Sequence, residues 1–147
     1  MALSQNVRFA GTAPLDEEFD HPPGASIARL LQTSLAQAGW NVSPFDNWRD
    51  SGWSIQCEGR GSKQEVVLAP MAAGSEWMLQ IAPTYVPGLI GLLLGKSATA
   101  SAVQVFELAR VVHSILGEQG GFAEFKWCWG GYPDDGDSTS EPVPLQE

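Results

Sequence analysis

Basic residues are scarce in this chain: eight Lys and Arg stand against seventeen Asp and Glu, for a formal charge of −9 and a pI near 4.5. Such a field repels phosphate backbones and anionic lipid, so nucleic acid is not expected as a partner and basic proteins are favoured. Cysteine is nearly missing. Cys57 and Cys128 are the only two, and both fall inside apolar patterns where a thiol packs as core, the usage of a reducing compartment; a cytoplasmic location is expected. Long apolar runs are also lacking. Val86 to Leu94 is the greasiest stretch, but Pro87, Gly88 and Gly91 interrupt it, and it has about half the length a membrane-spanning helix needs. Met1 to Phe9 has no basic region followed by an apolar one, so no secretory signal is expected. There are no internal repeats.

Catalytic signatures are missing as well. There is no G-x-S-x-G elbow, and His21 and His113 stand at no thiol-hydrolase spacing from Cys57 and Cys128. A Cys57 and His113 dyad is the weakest of the alternatives, because a buried thiol is inert. No C-x-x-C or H-x-x-x-H pair is present to hold zinc. Gly95, Lys96 and Ser97 echo the end of a phosphate loop, but Ile90 stands where its first glycine belongs. No cofactor and no metal are expected.

What is present points to one packed domain. The 147 residues are 44% hydrophobic and include six Trp and six Phe, enough large side chains to fill a single core without a disulfide or metal. Asn6 to Ala10 alternates as a short strand. Pro22, Pro23 and Gly24 introduce a helix ending at Gly39, with Ile27, Leu30, Leu31, Leu35 and Ala38 on one stripe. Trp40 to Val42 opens another strand, and Pro44 with Asp46, Asn47, Asp50 and Gly52 makes the following ten residues loop. Trp53, Ile55 and Cys57 alternate with polar neighbours, as do Trp77, Leu79 and Ile81. With a strand around Val66, Val67 and Leu68, and turns at Gly59 to Ser62 and Ala72 to Gly74, they predict a three-stranded antiparallel meander. A second helix is predicted from Ser97 or Thr99 to Leu116, closed by Gly117, with Val105, Leu108, Ala109, Val112 and Leu116 inward. Phe122 to Trp129 is the last strand, and Trp127 and Trp129 are expected to be core.

These elements predict a two-layer α+β sandwich, a mainly antiparallel sheet in the order β-α-β-β-β-α-β with two helices packed on one face. Residues 1–132 form the expected domain. The rest, 133–147, holds Asp134, Asp135, Asp137, Glu141 and Glu147 without one basic residue, and its composition predicts a disordered acidic tail.

Two loops carry candidate chemistry. In LDEEFDHPPG, Asp16, Glu17, Glu18, Asp20 and His21 offer hard oxygens and an imidazole, but acids ahead of a helix complement its dipole and Asp20 is placed to cap it, which is the preferred reading. In DNWRDSGW, Asp46, Trp48, Arg49 and Asp50 combine carboxylates, a guanidinium and an aromatic in one loop, the better candidate binding site. The plain alternative pairs Arg49 with Asp46 or Asp50 while Trp48 and Trp53 cap the core. A third feature is apolar: Leu89, Ile90, Leu92 and Leu93 are expected to be buried over the end of the sheet, and would form a partner patch if exposed.

No family resemblance is carried by these residues, so function follows from them alone. The leading expectation is a non-enzymatic, acidic protein-binding or accessory domain, chaperone-like or inhibitor-like, with a basic or amphipathic protein partner. The alternative is a small enzyme that uses Asp46 and Asp50 with His21.

Overall fold

The computed structural model describes residues 3–19, 21–71, 75–134 and 136–146. Among the described residues seven strands form one antiparallel sheet: β1 Gln5–Ala10, β2 Asn41–Val42, β3 Asp46–Trp48, β4 Gly52–Gly59, β5 Ser62–Pro70, β6 Glu76–Pro83 and β7 Ala123–Trp129. The helices are α1 Ala25–Gln37, α2 Leu89–Leu93 and α3 Ala102–Gln119. The sheet order is β2-β4-β5-β6-β1-β7, and β3 joins β2 on the outer edge of β4. Those two are pieces of one edge strand, parted at Pro44, whose missing N–H is tolerated only on an edge. The expected mixed α+β fold is present, and no described helix is long and apolar enough to cross a membrane.

One face of the sheet is covered and the other is open. Alternation sends Val7, Phe9, Ile55, Cys57, Val66, Leu68, Trp77, Leu79, Ile81 and Trp127 to the covered face, where each is at least 98% buried. There they meet Ile27, Leu31 and Leu35 of α1 and Val105, Leu108, Val112 and Leu116 of α3, all in one core. The stripe expected on α3 is buried at every position. On α1, Leu30 is only half-buried and Ala38 is exposed, while Ala25 and Ala28 face inward in their place.

Several boundaries differ from the sequence expectation for local reasons. Residues 46–48, expected as loop, pair with β4. The adjoining turn places Arg49 and Asp50 at φ 52° and 55°, the left-handed conformation that hairpin turns ordinarily assign to Asn or Gly. α3 starts later than predicted, because Ser101 and Gln104 form a reciprocal capping box, and it runs past Gly117 to a cap at Gly120. The cap position of α1 is Gly24 and carries no side-chain bond; Asp20, the residue expected to cap it, lies outside the described residues, as does the turn assigned to 72–74.

The segment after Pro133 makes contacts its composition did not announce. Trp127 and Thr139 exchange both backbone hydrogen bonds, at 2.8 and 2.9 Å. The Val143 carbonyl accepts from Trp129 Nε1 at 2.8 Å and from Gln5 Nε2 at 3.1 Å. Donors brought into a covered face need acceptors, and this segment supplies one.

Candidate functional site

Antiparallel pairing gives the sheet two ends with different contents. Ala10 opposite Glu76, and Pro70 opposite Trp77, mark the upper end; Gln5 opposite Ile81, and Gln64 opposite Pro83, mark the lower. The loop 11–24 and the β3–β4 turn leave from the upper end, and α2 leaves from the lower.

At the upper end the two candidate loops are brought together by aromatic rings. Phe19, Phe45 and Trp53 pack edge-to-face around one another with centroids 5.4 to 5.6 Å apart, clamping the acidic loop to the β3–β4 hairpin. Trp53 Nε1 also donates to the Pro22 carbonyl at 3.0 Å, which sets exposed His21 beside the hairpin. Arg29 of α1 completes the junction: its guanidinium lies 5.0 Å from the Phe45 ring and forks onto both Asp16 oxygens at 2.9 and 3.1 Å. That guanidinium, followed by the backbone N–H of Glu18, holds the Asp16 carboxyl down at about 2.

Between this loop and α1 lies an open groove of about 630 Å³ with Leu15 and Leu30 as apolar lining, Arg29 and Asp16 locked across it, and exposed Glu17 and Glu18 at its rim. The half-exposed Phe19 and the ring of Phe45 adjoin it. Sequence reading picked out the acids but missed Phe19, Phe45 and Arg29 as their organisers; an aromatic set between Glu18 and Asp20 was the available signal.

Asp46, Trp48, Arg49 and Asp50 are placed on β3 and its turn. Asp46 accepts from the Asn47 N–H at 2.8 Å, and the Asp50 N–H donates to Asn47 Oδ1 at 2.7 Å. Arg49 forms no ion pair with Asp46 or Asp50, contrary to the plain alternative; its guanidinium lies 4.9 Å from the Trp48 ring. Trp53 packs with Ala25 and Ala28 as a satellite of the core. Among the described residues no cluster of three His, Cys, Asp or Glu side chains could hold a metal ion.

The remaining nucleophile candidates are separated by the fold. Cys57 is buried on β4, and burial pushes its thiol up to about 12. His113 instead accepts the Trp127 indole N–H at 3.1 Å on its Nδ1. It thus lies against β7, four strand positions from β4 and roughly 19 Å away at the usual strand spacing. They form no dyad. Burial lowers the His113 pKa, with Glu141 opposing.

α2 departs most from expectation. Its aliphatic side chains are not buried over the sheet: Leu89, Ile90, Leu92, Leu93 and the adjoining Leu94 are 59 to 78% exposed. A second, smaller hollow of about 370 Å³ lies near the same end, lined by Asn41, Gln56, Glu58, Lys63 and Thr84 among others.

The class this geometry defines is an α+β domain with one helix-covered face and one open face. Comparison with models of known protein families, with curated proteins and with solved structures finds no match to this chain.

Proposed function

We propose that this protein is a non-catalytic accessory domain whose upper end holds a basic, amphipathic segment of a partner protein. The groove between the acidic loop and α1 carries the reading, because it pairs an apolar lining of Leu15 and Leu30 with an acidic rim of Glu17 and Glu18. Asp46 and Asp50 extend the acidic surface from the hairpin that the aromatic clamp fastens to this loop. An amphipathic segment would lay its apolar side on the leucines and bring Lys or Arg to the rim, where complementarity raises the on-rate and fixes orientation. Two free cysteines and the acidic charge fit a cytoplasmic setting.

Fluorescence anisotropy with a labelled helical peptide of Leu and Lys, compared with its Leu and Glu counterpart, tests this. The basic peptide is expected to bind at least about tenfold more tightly and to weaken as salt rises, which is the signature of an electrostatic contribution. Glu17→Lys combined with Glu18→Lys is expected to remove the preference while leaving the melting temperature in place. Equal affinity for the two peptides, or a preference untouched by the double substitution, would overturn the reading.

A further inference from the structure

The lower end presents the opposite chemistry, beginning with sequence. From Trp77 to Phe106 the chain contains no Asp or Glu, and its single charge is Lys96, within a protein of net charge −9. α2 lies in the middle of this stretch. At the helical 100° per residue, Leu89, Ile90, Leu92, Leu93 and Leu94 sweep roughly 200° of its circumference. Gly91 occupies the remaining side: a Cβ there would come within 3.0 Å of Pro87 Cβ and 3.1 Å of the Tyr85 hydroxyl. The glycine is therefore what lets the helix seat against its own base with every large side chain outward.

That base is fastened down. Thr99 Oγ1 donates to the Lys63 carbonyl at 2.8 Å, and the Tyr85 N–H donates to Thr99 Oγ1 at 3.1 Å. The Lys63 N–H donates to the Thr99 carbonyl, and the Thr99 N–H to the Tyr85 carbonyl. At its far end α2 is closed by Gly95 at φ 79° and by the Lys96 N–H bonding the Gly91 carbonyl. The apolar tip is held out from the sheet by a hydrogen-bonded collar.

The shape of the tip selects its occupant. A five-residue helix is about 7.5 Å long and 10 Å across, so one of its sides offers on the order of 100 Å², far from the roughly 800 Å² per partner that a stable protein interface buries. A flat protein surface would also leave much of the aliphatic sweep in water. Lipid hydrocarbon closes round an inserted element from all lateral directions, and interfacial elements enter it by only about 5–10 Å. The flanking charge is complementary to anionic headgroups: Lys96 follows the tip, Lys63 belongs to the collar, and Arg60 precedes β5 at the same end, with Glu58 facing Lys63 across the β4–β5 ladder. Asp134 and Asp137 follow β7 at this same end, where Trp129 lies opposite Gln5, two strand positions from β6, so the cationic flank of the tip is its β4–β5 side. The acid-rich loop and hairpin are at the opposite end, a full β6 length or about 27 Å away, several Debye lengths of about 8 Å at physiological salt.

We propose that α2 is a membrane-insertion tip: Leu89, Ile90, Leu92, Leu93 and Leu94 enter one leaflet of a bilayer while Lys96 and Lys63 meet anionic headgroups. The tip and the upper groove are independent, and either reading can fail alone.

Flotation of the full chain with vesicles of phosphatidylcholine and phosphatidylserine at three to one, against phosphatidylcholine alone, tests the proposal. The wild-type chain is expected to float with the anionic vesicles. Leu89→Asp with Leu93→Asp is expected to reduce the bound fraction at least tenfold, and Lys96→Glu to reduce it severalfold and erase the preference for phosphatidylserine. Thermal melting by circular dichroism, unchanged in each variant, establishes that folding is intact. Wild-type protein that stays unbound at saturating lipid, or a double variant that floats equally well, overturns the proposal. So does light scattering that shows a lipid-free dimer abolished by the double substitution, which would make the tip a contact between copies.

Discussion

α1 and α2 are both leucine-rich, yet they meet opposite fates. In α1, Leu31 and Leu35 are completely buried between the sheet and α3; in α2, Leu89 and Leu93 are 75% and 78% exposed. Residue type does not separate them. α1 has 13 residues and alternates its apolar positions with Arg29, Gln32 and Thr33, so one side can lie flat on a sheet while the other faces water. α2 has five residues with no polar side, so whichever way it turns, some leucine faces outward. The difference is one of stability against display: one helix holds the domain together, the other is carried by it.

Substitutions can sharpen that contrast. The largest effect is expected from Leu35→Ala, which leaves a cavity between α1 and the sheet and should lower stability by about 2–5 kcal/mol in urea unfolding. Ser101→Ala removes the cap of α3, the other covering helix, and should cost about 1 kcal/mol by the same measurement. A smaller loss is expected on acidification. Burial lowers the His113 pKa in the folded state, so its contribution is complete above about 6.5 and is lost as pH falls through the lowered folded value. His113→Asn keeps an acceptor for the Trp127 indole and should flatten that part of the stability curve between pH 7.5 and 5. On the displayed side, Asp50→Gly relieves a left-handed residue in the hairpin turn and should raise stability by about 0.5 kcal/mol. Leu93→Ser should change folding stability by less than about 0.5 kcal/mol. A loss near that of Leu35→Ala would show that α2 is part of the core and break the comparison.

The covered layer was legible because it is periodic. A spacing of 3.6 put Val105, Leu108, Ala109, Val112 and Leu116 on one stripe, and alternation put Trp77, Leu79 and Ile81 on one face; burial follows both. The displayed parts lack that constraint. An apolar run such as 89–94 reads the same whether a sheet covers it or solvent surrounds it, because sequence pattern reports a need for cover and not its source. β3 escaped notice since three residues beside Pro44 are too short to alternate, and its turn uses Arg49 and Asp50 where a glycine would have announced it. The candidate site was legible as two polar loops. Their junction through Phe19, Phe45 and Arg29 was not, since it joins residues 16–19, 29 and 45–53 only in three dimensions.

The pairing of Thr139 with Trp127 places a short length of chain along the outer rim of β7. An unguarded outermost strand is a template on which further molecules can add in register. A protein cut after Pro133 would lose that guard, and the Trp129 and Gln5 donors would lose their Val143 acceptor. The same composition that resembles a dispensable solvated appendage thus covers part of an outermost strand, and its removal is expected to appear first as slow fibre growth at high concentration.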